Sequence, residues 1–195
     1  MTNCSDASDP ESRVQVACSV GGNLPGTWQA FGWLSRALPS HFMDLRCSQV
    51  YRTAPQGYSD QPDFLNWAFV GWSRLGVQQL LRQLLQLEQQ AGRIRKMPNG
   101  PRILDIDLLL YGSEKVYTPE VTVPHPRMHL RAFALVPLLE LWPAAQDPRT
   151  GTPVAEYLAN LAGQGIYSLG IYPYNRETHG STRSGITASF PAKGF

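Results

Sequence analysis

Residues 92–112 read Gly-Arg-Ile-Arg-Lys-Met-Pro-Asn-Gly-Pro-Arg-Ile-Leu-Asp-Ile-Asp-Leu-Leu-Leu-Tyr-Gly. From 103 to 111 the run is apolar apart from two aspartates and is bounded by loop residues, which predicts a strand. On a strand, positions i and i+2 share a face, so Asp105 and Asp107 point one way and Leu104, Ile106 and Leu108 the other. Just upstream, Arg93, Arg95, Lys96 and Arg102 put four positive charges into a ten-residue segment without an acid. Gly92, Pro98, Gly100 and Pro101 make that segment a loop.

Working outward from this strand, the rest of the chain falls into alternating elements. Val14, Val16, Cys18 and Val20 alternate with smaller or polar residues, a period of two that predicts a first strand ending at Gly21-Gly22-Asn23. Trp28, Phe31, Leu34 and Leu38 recur at helical spacing and stop at Pro39, giving a first helix with Thr27 as its N-cap candidate. Extended segments follow at 45–53 and 64–74, the second rich in aromatics and suited to burial on both faces. Val77, Leu80, Leu81, Leu84 and Leu85 mark a second amphipathic helix that Gly92 closes as a C′ residue. After the 103–111 strand come a short extended piece at 121–123 and a third helix from about 130, which carries Pro137. The order β-α-β-β-α-β plus a helix suits an α+β, ferredoxin-like sandwich, a mainly antiparallel sheet with helices packed on one face.

Composition sets the outer limits. The chain has 195 residues, 43% hydrophobic, 16% charged, with net charge +2. That length is one ordinary domain, and so small a net charge does not suggest nonspecific nucleic-acid binding. The basic residues are 14 Arg against 3 Lys, which points to discrete anion sites needing planar, bidentate donors. Three cysteines without CxxC spacing indicate neither a disulfide framework nor a zinc site. No apolar run approaches the ~18 residues of a membrane span. The sequence reading is therefore a cytoplasmic, likewise membrane-free, monomeric protein: a disordered leader over 1–12, a domain over 13–162 and a flexible tail over 163–195. Of its 33 Gly and Pro, 12 lie from Pro143 onward, in keeping with that tail.

The chemistry concentrates where the charge does. Alone, a D-x-D pair is more often a solvated pair on an open sheet face. Beside an Arg-rich loop it reads as a site for a nucleoside polyphosphate with Mg²⁺, because oxygen-only ligands favour that ion and guanidinium forks match phosphate oxygens. His125, Arg127, His129 and Arg131 add donors downstream. No G-x-x-x-x-G-K-[ST] and no G-x-G-x-x-G is present, so neither a P-loop nor a dinucleotide fold accounts for the phosphate site. In the other half, Phe64 and Asn66 share a strand face, where a ring and an amide side by side suit a flat heterocycle. From spacing alone, a core role for Phe64 and a turn-capping role for Asn66 is the weightier reading.

Six stretches, GGNL at 21–24, YRTAPQG at 51–57, DQPDFLN at 60–66, EQQAGRIRK at 88–96, GPRILDIDLLLYG at 100–112 and VPHPRMHLRAFALVPLLE at 123–140, run in one order. In that order the chain resembles the 6-hydroxymethyl-7,8-dihydropterin pyrophosphokinases, over residues from about 14 to 160. The resemblance implies a ferredoxin-like fold and a folate-pathway reaction in which the pterin hydroxymethyl oxygen attacks the β-phosphorus of ATP and AMP leaves. It implies that Asp105 and Asp107 bind two Mg²⁺ ions and that Arg93, Arg95 and Arg102 neutralise the phosphates as a loop closes. Glu88, His125 and Arg131 fall with Arg95 and Arg102 on the ATP side, and Thr53, Phe64, Asn66 and Phe133 in the pterin pocket. ATP and the reduced pterin are the only partners it implies.

Two departures stand out. Gly22 replaces the family's usual serine, and Asn99 stands in a slightly shorter loop where the family usually carries a tryptophan that covers the pterin. The second gives weight to an alternative, a non-catalytic pterin- or nucleotide-binding paralogue of the same fold. A sugar-nucleotide transferase built on the D-x-D is a more distant reading, which Phe64 and Asn66 disfavour.

Overall fold

The structure is a computed structural model that describes residues 13–56, 60–93 and 100–173. The strands are β1 (Val14–Gly22), β2 (Met43–Cys47), β3 (Tyr51–Thr53), β4 (Phe64–Ser73), β5 (Asp105–Tyr111), β6 (Val116–Tyr117), β7 (Thr122–Val123) and β8 (Ile166–Ser168). The helices are α1 (Thr27–Ala37), α2 (Val77–Gln90), α3 (Ala132–Leu141) and the single turn α4 (Val154–Tyr157). The main sheet runs β5-β1-β4-β3-β8, with β2 also on β4 and every pair antiparallel. This is the expected α+β arrangement of an antiparallel sheet with helices packed on it. Among the described residues no helix is long and apolar enough to cross a membrane.

The alternation in β1 sorts its side chains between two cores. Val16, Cys18 and Val20 join Trp67 and Phe69 of β4 and Ile106 and Leu108 of β5 beneath Phe31, Leu34 and Leu38 and the α2 stripe Leu80, Leu84 and Leu87. Ala17, Ala68 and Val70 face the other way and pack with Leu135, Leu138 and Leu141 of α3. Helices therefore cover both faces, not one as the element order suggested. Burying each of these large apolar side chains stabilises the fold by about 2 kcal/mol.

Other local expectations change for identifiable reasons. Thr27 does not cap α1: Gly26 occupies that position at φ 94°, and the Thr27 hydroxyl donates instead to the Ile103 carbonyl at 3.1 Å. That contact leaves no space at Gly22, where a Cβ would overlap the Ile103 carbonyl oxygen and lie 2.8 Å from the Thr27 hydroxyl. The glycine in place of the family's serine is thus matched to its neighbours. The single extended segment expected at 45–53 splits into β2 and β3 because Ser48, fully buried, accepts the Ala68 N–H on its hydroxyl at 2.9 Å. Residues 1–12 lie outside the described residues. The stretch expected to be tail from 163 contributes β8, which pairs Ile166 with Thr53 and Ser168 with Tyr51, and 174–195 lie outside the described residues. Three residues are too few for a legible period, so only the β3 edge reveals this strand.

Behind the 125–127 loop sits a buried acid. Asp147 is fully buried and accepts from the Arg149 amide and guanidinium at 2.6–3.1 Å and from the Tyr157 hydroxyl at 3.0 Å, while Arg149 Nη1 also donates to the Pro126 carbonyl at 3.2 Å. Burial acts to raise this carboxyl, but the hydrogen bonds from Arg149 and Tyr157 outweigh it and hold the pKa below the ordinary 3.8. A depressed folded value stabilises the fold above the unfolded pKa, and that stability is lost as pH falls through the folded one. Asp147→Asn should cost about 3 kcal/mol at pH 7 in urea melts. The gap to the parent should close as pH drops below about 4; a gap independent of pH would contradict this account.

Candidate active site

The two aspartates open β5, on the face that α3 covers, paired with Gly21 and Ser19 of β1. Directly after them the β1–β5 register slips, Ala17 meeting Leu110 and Cys18 meeting Leu108. The slip leaves Leu109 as the extra residue of a β-bulge, and its carbonyl accepts the His125 N–H at 2.9 Å. A bulge in β5 thereby docks the 124–127 loop beside Asp107. His125 Nδ1 accepts the Arg127 amide at 3.1 Å, and its Nε2 lies 3.9 Å from Asp107 Oδ1 and 3.3 Å from Arg131 Nη1. Burial, opposed by Asp107 and reinforced by the Arg131, Arg127 and Arg149 guanidiniums, lowers this histidine to about 4. At neutral pH it offers a hydrogen bond and no charge.

Each aspartate is neutralised by arginine. Arg131, the residue that caps α3, reaches Asp107 Oδ2 with Nη1 at 2.6 Å. Asp105 takes Arg93 Nη2 on one oxygen at 2.5 Å and Arg102 Nε beside the other at 3.0 Å. Arg93 is placed by the end of α2: Gly92 at φ 86° turns the chain, its N–H reaching the Gln89 carbonyl and that of Arg93 the Glu88 carbonyl, both at 3.0 Å. The same arginine pairs with the Glu88 carboxylate, which also accepts the Ile106 N–H at 2.6 Å and so covers the free edge of β5. Glu88 is 2% exposed. Burial outweighs its Ile106 hydrogen bond and Arg93, and pushes its pKa up to about 7.

The predicted heterocycle residues also come together. Asn66 Nδ2 donates to the Thr53 hydroxyl at 2.8 Å, both buried, and Phe64 lies opposite Thr53 in the ladder. Phe133, the second residue of α3, joins Thr53 in lining a cleft of about 170 Å³. Two cation–π stacks tie the halves together, Arg102 over Phe64 at 5.1 Å and Arg131 over Phe133 at 5.5 Å. Arg95 and Asn99 lie outside the described residues. Asn23 holds the entrance in a way its sequence did not show: it exchanges backbone and side-chain bonds with Arg102 at 2.9 and 3.0 Å and donates to the Pro62 carbonyl at 3.0 Å. Arg149, on the Pro126 carbonyl, and Gln164, whose bonds are set out below, also carried no sequence signal.

A sequence model of the 7,8-dihydro-6-hydroxymethylpterin-pyrophosphokinases matches residues 17–143, which contain Glu88, Arg93, Arg102, Asp105, Asp107, His125 and Arg131. The chain belongs to this family. It is 42% identical over 116 residues to the 2-amino-4-hydroxy-6-hydroxymethyldihydropteridine pyrophosphokinase of Synechocystis, a match covering 60% of this chain and 59% of that one. With the enzyme of the same name from Bacillus subtilis it shares 43% over 96 residues, 49% of this chain and 58% of the other. The match thus spans a little under three fifths of these curated relatives. In fold it is similar to the Plasmodium falciparum HPPK-DHPS wild type, with TM-score 0.61, 10% identity, and 80% of this chain and 46% of that one covered.

The oxygen-only pair Asp105 and Asp107 suits a hard divalent cation that takes its remaining ligands from a nucleotide. Among the described residues no group of three or more His, Cys, Asp or Glu forms a cage of protein ligands alone. The Arg93–Glu88 pair has a pH signature of its own. Because the folded chain keeps the Glu88 proton between about 4.5 and 7 and the unfolded chain does not, the stability linked to it falls as pH rises through that window. Arg93→Ala should therefore cost about 3 kcal/mol at pH 8, where Glu88 is ionised, and clearly less at pH 5. Equal losses in denaturant melts at both pH values would refute this pairing.

Proposed function

We propose that this chain transfers pyrophosphate from ATP to the hydroxymethyl group of 6-hydroxymethyl-7,8-dihydropterin, yielding the pterin diphosphate and AMP for folate synthesis. One observation supports it above the others: a single helix start supplies both Arg131, on the carboxylate pair, and Phe133, on the heterocycle cleft. The donor and acceptor of the transfer would then meet across two residues of backbone.

In this reading Asp105 and Asp107 hold Mg²⁺, two ions as the family resemblance implies, and the metal would neutralise and orient the phosphate oxygens. Arg93, Arg102 and Arg131 exchange their aspartates for phosphate oxygens, which charge-assisted forks bind at least as well, and Arg95 adds a further donor. His125, neutral, donates from Nε2 to a phosphate oxygen. Glu88 stays behind to hold Arg93 and the edge of β5. The heterocycle lies in the Thr53 cleft against Phe133, with Phe64 and Asn66 adjoining Thr53 on β4 at its inner end, where the Asn66 amide and the Thr53 hydroxyl would read its donor and acceptor edge. Removal of Arg102 and Arg131 from the two rings frees the faces on which it would stack. Catalysis is then mostly positioning and charge stabilisation, since phosphoryl-type transfer asks little covalent chemistry of the protein. The enzyme acts as a cytoplasmic monomer on these small molecules.

The test is AMP release from ATP, Mg²⁺ and the reduced pterin. The chain should form AMP only when all three are present, and Asp105→Asn with Asp107→Asn should lower the rate by at least about a thousandfold. Chelation of the metal should do the same. Ordinary ATP and pterin binding without turnover would replace this reading with the non-catalytic one.

A further inference from the structure

The heterocycle cleft has a third wall, formed by residues 163–166 and lying beyond the family match, which stops at 143. Gln164 in that wall uses both ends of its amide. Its Oε1 accepts the Ala132 N–H at 3.0 Å and Gln56 Nε2 at 2.6 Å, and its Nε2 donates to the Leu130 carbonyl at 3.0 Å. Ala132 is the first residue of α3, so its N–H has no partner inside the helix and Gln164 supplies one. Gln56 lies three residues after Thr53, on the short arm that leaves β3. Next in the chain, Ile166 pairs with Thr53 in the β3–β8 ladder, so the segment that carries Gln164 is itself fixed to the strand that carries Thr53. One side chain thus fastens the α3 start, with Phe133 one residue further on, to the arm on the opposite side of the cleft.

Packing does not explain this residue. Gln164 is only half-buried, and ordering a free Gln side chain on a surface costs up to about 2 kcal/mol of rotamer entropy. Three partners on two segments, the α3 start and the arm after Thr53, offset that cost and fix a distance. We propose that Gln164 is a positioning residue that sets the separation of Thr53 and Phe133, and with it the fit of a flat heterocycle between them. The inference rests on the pyrophosphokinase reading above and extends its substrate site to the C-terminal wall.

Steady-state kinetics in both substrates test it, because a merely structural role would move both KM values and the melting temperature together. Gln164→Ala should raise the KM for the reduced pterin about tenfold, leave the KM for ATP within about twofold and change kcat little. Gln164→Glu keeps both acceptor contacts but sets a carboxylate oxygen against the Leu130 carbonyl, so it should recover part of the pterin KM and not all of it. Gln56→Ala, at a residue that also lines the cleft, breaks the arm contact and should raise that KM about threefold, with no further rise when added to Gln164→Ala if the contact is what matters. An unchanged pterin KM in Gln164→Ala, or parallel increases for both substrates, overturns the proposal. Should Gln164→Ala fail to fold, Gln56→Ala decides in the same way. If the unaltered protein makes no AMP, the pyrophosphokinase reading fails and this one with it; if it does and the variants match it, only this one fails.

Discussion

Two carboxylates one residue apart on a strand face repel each other, and this chain places Asp105 and Asp107 so at the start of an edge strand. Much of the surrounding architecture answers that repulsion. Arg93 comes from the end of α2, Arg102 from the approach to β5, and Arg131 from the cap of α3, so three segments converge on one short stretch of sheet. None of these pairs is deep enough to be dry, and each arginine has a second attachment. Arg93 binds buried Glu88, while Arg102 and Arg131 lie over Phe64 and Phe133. The site is charge-balanced without a nucleotide, in a form that phosphate and a divalent ion can take over group by group.

Those second attachments join the phosphate half to the heterocycle half. An arginine that leaves its aspartate for a phosphate also leaves an aromatic face, so occupancy of one half changes what the other presents. The same economy is seen in the backbone. The β5 bulge that ends the D-x-D register presents the Leu109 carbonyl to His125, and the buried Asp147 holds Arg149 against the Pro126 carbonyl on the far side of that loop. The positions of His125 and its neighbours are thus set by packing and backbone bonds well outside the carboxylate pair.

Legibility in the sequence followed the range of each signal. Strand β1, helices α1 and α2, and the shared face of Asp105 and Asp107 rest on period and spacing, which local residues carry entirely. Gly92 at the end of α2 was readable for the same reason. What depends on a distant partner was not: α3 crossing to the second face, Ser48 breaking one extended segment into β2 and β3, and Thr27 serving Ile103 instead of its own helix. Asn66 had been weighed as a turn cap, whereas its amide meets Thr53 across a ladder of two strands. Gln164 lies in a stretch with no sustained pattern, and its three bonds exist only because β8 finds the edge of β3.

The proposed transfer differs from ordinary phosphoryl transfer in the phosphorus attacked: if Asp105, Asp107 and the arginines hold the polyphosphate as proposed, the hydroxymethyl oxygen attacks the β-phosphorus and AMP leaves. Phosphorus NMR of a single reaction mixture measures this directly. The account predicts one AMP for each pterin product carrying two coupled phosphorus atoms. Release of ADP with a pterin monophosphate, or of inorganic phosphate alone, would contradict it.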